Sequence, residues 1–265
     1  MNDLAQSYVW NGDGFVPCGG IPSSDRGFRY GMALFESLAI RQGKVEFIEA
    51  HLERIRTACQ RCGWAVDPAV LAKAADWFRQ VPGPAFARIY ITAGDGGPSD
   101  PVSAPRVFVF AEPRAVNPAA AYRLAINPEP FAEVHPGLKT ANYWPRLERL
   151  NWAKSQGCDE ALLVNPKGEL ISACMANLFV KVNGRWATPP QSSGARPGVV
   201  REWALRRCLV IERSIRLEEV REATECLLTS SWLGVVPVAS INSRRLEMGF
   251  GEKLSAEFGA GPSQL

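Results

Sequence analysis

From Tyr122 onward the sequence breaks into many short strand-like runs: Glu160–Val164, Leu170–Ala173, 178–182, 186–188, 211–217 and 226–229. Runs this short, bounded by turn-forming residues, predict strands rather than helices. Only two helical stretches, 144–156 and 198–208, interrupt them. Many short strands with few helices restrict this half to a barrel-like or sandwich core and exclude a doubly wound sheet.

The first half reads differently. Alternation at 8–10, a Gly-rich turn at 11–14 and a β run at 34–41 give an antiparallel opening. Leu52, Ile55, Ala58 and Cys59 recur at helical spacing from Ile48 to Cys62, and Gly63 stops that helix. Asp67 caps a second helix running to Gln80, after which 87–93 and 106–112 read as buried strands joined by a GDGGPSD turn. The segment 113–121 is rich in Ala, Pro and Asn and has no periodicity. We therefore expect a small α+β domain over 1–115, a linker at 116–121 and a larger barrel-like domain with helices over 122–265.

Composition narrows the function. The 265 residues carry 30 basic and 27 acidic side chains, net +3, spread along the chain. No basic block points to nucleic acid, so the expected partner is a small molecule. The N-terminal MNDLAQSYVWNGDG has neither the basic nor the apolar region of a secretion signal, and no apolar run approaches a bilayer span. A soluble, cytoplasmic protein without a membrane partner is expected. Seven cysteines at irregular spacing do not form a disulfide framework, and Cys59-Gln-Arg-Cys62, alone within a helical pattern, reads as two packing thiols. Two histidines, His51 and His135, leave no His-rich metal site and argue against a His-dependent triad. No metal is expected, and hard chemistry would come from a cofactor.

Four places could hold such chemistry. Lys139 follows a Pro-Gly turn. Asn177-Leu178-Phe179 adjoins a hairpin turn. Arg196-Pro197-Gly198-Val199-Val200-Arg201 opens a helix, where free N–H groups favour an anion. Thr229-Ser230-Ser231 forms a hydroxyl-rich nest at a strand end.

These residues, with Asp25-Arg26-Gly27-Phe28-Arg29-Tyr30-Gly31, Phe35-Glu36, His51-Leu52-Glu53-Arg54, Arg88, Lys139-Thr140-Ala141-Asn142-Tyr143, Gly157-Cys158-Asp159-Glu160-Ala161, Thr188-Pro189 and Pro237-Val238, resemble the fold-type IV enzymes of pyridoxal 5'-phosphate (PLP). That group includes branched-chain and D-amino-acid aminotransferases and 4-amino-4-deoxychorismate lyase. The resemblance spans nearly the whole chain and implies a two-domain fold, a homodimer, and a cofactor cleft between the domains. It makes Lys139 the Schiff-base lysine and proton carrier. Arg54 matches the phosphate-gripping arginine, Val199 and Val200 the backbone amides on the same phosphate, and Ser231, with Ser230 beside it, the hydroxyl ligand. Tyr143 matches the partner of the cofactor's phenolic oxygen, and Asn177 belongs to the cofactor-side hairpin. Tyr30, Phe35, Arg88 and Trp232 line the implied substrate pocket, with Arg88 on the substrate carboxylate.

One position departs. Five residues before Asn177, where the family places a glutamate that keeps the pyridine nitrogen protonated, stands Ser172. Glu169 is an odd number of positions away, so on a strand it points to the other face. A hydroxyl can donate to an unprotonated nitrogen but does not stabilise a pyridinium, which weakens the ring as an electron sink. The expected function is therefore a β-eliminating lyase similar to 4-amino-4-deoxychorismate lyase. The alternatives are a transaminase of small or branched-chain amino acids and a non-catalytic PLP-binding relative.

Overall fold

The computed structural model describes residues 6–115 and 121–261. They divide into two compact units, one comprising 6–115 with Leu138–Asn142, the other 121–137 with the chain from Tyr143 onward. The expected linker at 116–121 lies, but for Ala121, outside the described residues.

The first unit contains strands β1 (Gln6–Trp10) and β2 (Phe15–Pro17), helix α1 (Arg26–Tyr30), strands β3 (Ala33–Arg41) and β4 (Lys44–Val45), helices α2 (Ile48–Arg61) and α3 (Pro68–Gln80), and strands β5 (Ala85–Thr92) and β6 (Arg106–Pro113). They make a six-stranded antiparallel sheet in the order β2-β1-β6-β5-β3-β4. β3 and β5 pair without a slip from Ala33↔Thr92 to Ile40↔Ala85. Alternation therefore assigns every side chain to a face. Leu34, Leu38, Ile40, Ile89, Ile91 and Val109 turn to the core and meet Leu52, Ile55 and Cys59 of α2 and Leu71, Ala74 and Phe78 of α3. Phe35, Arg88, Tyr90, Phe108 and Phe110 occupy the other face. The cap expected at Asp67 is present: its carboxylate accepts from the Ala69 amide at 2.8 Å.

Helix α1 was not legible as a helix from its few residues. Asp25 caps it by accepting from the Gly27 amide, and Gly31 ends it at φ 69°. Only glycine serves at Gly31, because a Cβ there would stand 2.2 Å from Asn142 Oδ1.

The second unit contains β7 (Tyr122–Ile126), α4 (Trp144–Ser155), β8 (Glu160–Val164), β9 (Leu170–Ala173), β10 (Asn177–Val182), β11 (Arg185–Thr188), α5 (Val199–Leu205), β12 (Val210–Glu212), β13 (Glu225–Ser230), β14 (Gly234–Ile241), β15 (Arg244–Arg245) and α6 (Gly249–Gly259). The strands form one barrel-like sheet in the order β12-β11-β10-β13-β14-β7-β8-β9, with β15 on β14. The pairs β11–β12, β14–β7 and β7–β8 are parallel. One core gathers Leu124, Leu162, Leu170, Leu178, Leu228 and Val238. A second, containing Phe131, Ala153, Ala161, Leu163, Ile171 and Cys174, draws on α4.

Two differences from expectation have local causes. The strand expected over 211–217 stops at Glu212, because Arg213 turns out to pair with Glu219 and Ser214 to meet Ser193. Ile215 still buries itself, and its carbonyl accepts from the Leu170 amide at 2.8 Å. β14 was hidden by Pro237, which stands just before the stretch that pairs with β7. No helix among the described residues is long and apolar enough to cross a membrane.

Candidate active site

In the first unit, Leu138–Asn142 runs along β3 at the end of that strand away from β4. The Phe35 amide donates to the Lys139 carbonyl at 2.9 Å and the Ala141 amide to the Ala33 carbonyl at 2.8 Å. Leu34 and Thr140 bridge, so they share the core side, while Lys139 and Ala141 share the opposite side with Phe35. Lys139 Nζ lies 4.4 Å from the centre of the Phe35 ring. Phe35 stacks on Tyr90 at 5.4 Å, and Arg88, its guanidinium 5.4 Å from Phe35 and 4.8 Å from Phe86, donates to Tyr90 Oη at 2.6 Å. Arg88 Nε is buried and has no partner among the described residues. This face opens on a cavity of about 570 Å³ lined by Arg88, Tyr90, Phe108, Phe110, Phe28 and Ala141. Tyr30, at the end of α1, is exposed with Arg29 against its ring.

Arg54 sits on α2 one turn beyond His51, and both reach Glu36 on β3. Arg54 Nε and Nη2 donate to the two carboxylate oxygens at 2.7 and 2.5 Å, and His51 Nδ1 is 2.8 Å away. Burial opposes the charge on Glu36, but the Arg54 cation and the hydrogen bonds from His51 and Arg54 outweigh it and hold the carboxyl at about 2. Burial pushes the His51 pKa down, so the ring is neutral and donates through Nδ1. Arg54 is thus aimed by a carboxylate behind it. Sequence reading assigned no role to Glu36 or His51.

In the second unit, Tyr143 Oη accepts from Arg196 Nη1 at 2.5 Å, and the guanidinium stacks 5.0 Å from the phenol ring. Arg196 Nη2 donates to Glu133 Oε1 at 2.8 Å. The same oxygen accepts from Arg146 Nε at 2.8 Å and Nη2 at 2.5 Å. Arg146 Nη1 reaches Ser172 Oγ at 3.4 Å and the carbonyls of Ala173 and Cys174 at 3.2 and 2.9 Å. Sequence reading missed Arg146 and Glu133. The signal was present: Arg146, Leu150 and Ala153 are spaced as one helix face, a pattern in which an arginine needs a partner. Glu169 is engaged elsewhere, with Asn165 Nδ2 at 2.9 Å and Ser193 Oγ at 3.1 Å.

Nearby, Asn177 faces Thr229 across the β10–β13 ladder and donates through Nδ2 to the Arg196 carbonyl at 2.9 Å. A Cβ on Gly198 would fall 1.9 Å from Asn177 Oδ1, so glycine here lets Asn177 keep its place against the Arg196 carbonyl. The amides of Val199 and Val200 then open the helix, where no intrahelical acceptor exists. Thr229 Oγ1 is buried without a partner, and the Ser231 hydroxyl makes no hydrogen bond among the described residues. Ser230 Oγ instead accepts from the Leu233 amide at 3.1 Å, shaping the turn that carries Trp232. Unpaired amides and hydroxyls of this kind can hold an anion. Thr229 was not singled out within its nest.

The Cys59/Cys62 pair shows no reactive character. Burial pushes Cys59 up to about 12 and Cys62 upward as well.

The amino-transferase class IV family model matches residues 33–241. The chain is 25% identical over 253 residues to the aminodeoxychorismate lyase of Vibrio harveyi, covering 87% of this chain and 90% of that protein. It is 24% identical over 240 residues to a putative branched-chain-amino-acid aminotransferase of Methanocaldococcus jannaschii, covering 83% and 82%. The crystal structure of 4-amino-4-deoxychorismate lyase from Pseudomonas aeruginosa superimposes with a TM-score of 0.83 at 27% identity, covering 96% of this chain and 98% of that one. The chain therefore belongs to the class IV aminotransferases, a family of PLP-dependent enzymes.

Proposed function

We propose that this chain binds PLP and catalyses β-elimination on an aminodeoxychorismate-like substrate, releasing pyruvate. The observation that carries the choice of reaction is Ser172, held by Arg146, at the position where the family resemblance expects a glutamate. The cofactor, when bound, supplies an electron sink for the bonds at the substrate's α-carbon.

The chain's own residues fit such a group. The cradle of Thr229, Ser231 and the Val199 and Val200 amides suits a phosphate, and Arg54, fixed by Glu36, adds a guanidinium for it. Lys139 holds the cofactor through its amine and carries a proton to and from the substrate. Tyr143, receiving a hydrogen bond from Arg196, orients the cofactor's phenolic edge, and Asn177 positions the loop that leads into α5. Arg88 takes the substrate carboxylate, while Tyr30, Phe35 and Trp232 shape the space around it. A homodimer belongs to the same reading.

The test is incubation of the PLP-loaded protein with aminodeoxychorismate. Pyruvate and 4-aminobenzoate formed without a keto-acid acceptor support the lyase, and strict dependence on an acceptor overturns it. Borohydride reduction should fix PLP to the wild type and not to Lys139→Ala. A second reading, transamination of apolar amino acids, is favoured by the predominantly aromatic and aliphatic wall around Arg88. Acceptor-dependent turnover of a branched-chain amino acid would select it.

A further inference from the structure

We propose that Arg146 locks Ser172 as a hydrogen-bond donor and that the two together hold the cofactor's ring nitrogen unprotonated. The inference rests on the PLP reading above and deepens it.

Arginine carries no acceptor, so its contact with Ser172 uses an oxygen lone pair and leaves the serine proton to be given elsewhere. No described residue accepts that proton. A hydroxyl oriented in this way complements a ring nitrogen that offers a lone pair and disfavours one that bears a proton.

Charge acts in the same direction. Two guanidiniums, Arg146 and Arg196, share the single Glu133 oxygen, so this largely buried chain of contacts carries a formal surplus of one positive charge. Arg146 is 4% exposed, and burial and then the neighbouring Arg196 act against its charge. Glu160, on β8, is the other acid whose field reaches Arg146, but burial lifts its carboxyl to about 7 and it offsets only part of the surplus near neutrality. A further cation is unwelcome here. The contacts Ser172–Arg146–Glu133–Arg196–Tyr143 also form one continuous relay. The residue assigned to the ring nitrogen and the residue assigned to the phenolic oxygen are therefore held by a single network.

A consequence follows for any attempt to restore the family pattern. A glutamate at position 172 would meet the Arg146 guanidinium, and the ion pair would satisfy its charge before the ring nitrogen could. Both positions must change to protonate the ring.

The experiment loads the protein with PLP labelled with ¹⁵N in the ring and reads the nitrogen's chemical shift. The wild type should show the unprotonated-pyridine signal, and so should S172E. S172E/R146Q should shift to the pyridinium position. S172A, which removes only the hydroxyl, should move the neutral signal to that of a nitrogen without a donor. A pyridinium signal in the loaded wild type overturns the inference while leaving the PLP reading intact. A pyridinium signal in S172E alone overturns the role of Arg146. A protein that takes up no PLP overturns the reading and this inference with it.

Discussion

Glu160 stands on β8 at 2% exposure, its Oε1 accepting from the Met175 amide at 3.2 Å and its Oε2 without a partner among the described residues. Burial is the main cause that lifts its carboxyl from 4.5 to about 7, against the hydrogen bonds from the 174–175 turn. The sign follows from linkage. Between these two values the folded protein keeps a proton that the unfolded chain has released, so stability falls as pH rises from 4.5 through 7 and levels off above. A shift of this size, at roughly 1.4 kcal/mol per pH unit, costs about 3 kcal/mol at pH 8 and about 1 kcal/mol at pH 5. Glu160→Gln keeps the shape and the acceptor for Met175 but cannot ionise. Urea unfolding of the cofactor-free protein should therefore find the variant more stable than wild type by about 3 kcal/mol at pH 8 and by about 1 kcal/mol at pH 5. An advantage that does not grow between those pH values would show that Glu160 is not the buried acid described here.

Glu36 works in the opposite direction. Its folded value of about 2 makes its contribution fully present above 4.5 and lost as pH falls towards 2, so Glu36→Gln should cost about 3 kcal/mol at pH 7 and about 1 kcal/mol at pH 3 in the same unfolding assay. Thr229→Val replaces a buried, unpartnered hydroxyl by a methyl. The melting temperature of the cofactor-free protein should hold or rise, whereas fluorescence titration should show PLP binding weakened about tenfold by the lost contact to phosphate. Arg88→Gln keeps a polar group but loses the charge, and steady-state kinetics should show kcat/KM lower by about 10- to 100-fold, carried mainly by KM.

Much of this architecture was legible because burial imposes periodicity. Glu160–Val164 and Leu170–Ala173 are short, mostly apolar and buried throughout, and form strands over those bounds. The helix capped at Asp67 was marked by its own chemistry. What sequence could not give was pairing across distance. Nothing in the order of residues says that Glu133 lies between Arg146 and Arg196, or that Glu36 faces α2, because an ion pair leaves no periodic trace in either partner's neighbourhood. Ser172 was visible as a departure, but its meaning depended on the arginine behind it. Thr229 was indistinguishable from its serine neighbours until the structure showed its oxygen buried without a partner among the described residues.

The strand-like stitch between Leu138–Asn142 and β3 has a bearing on how such chains are inherited. By chain order Lys139 comes after the second unit has begun, yet its carbonyl accepts from the Phe35 amide of the first, and the neighbouring Ala141 amide donates to the Ala33 carbonyl. A recombination event at the 116–121 boundary would set the Phe35 amide of one parent against the lysine-bearing segment of the other. The folded unit is therefore not the N-terminal segment alone but that segment with five residues borrowed from downstream, so a fusion at the boundary succeeds only where the incoming partner brings its own strand to that edge.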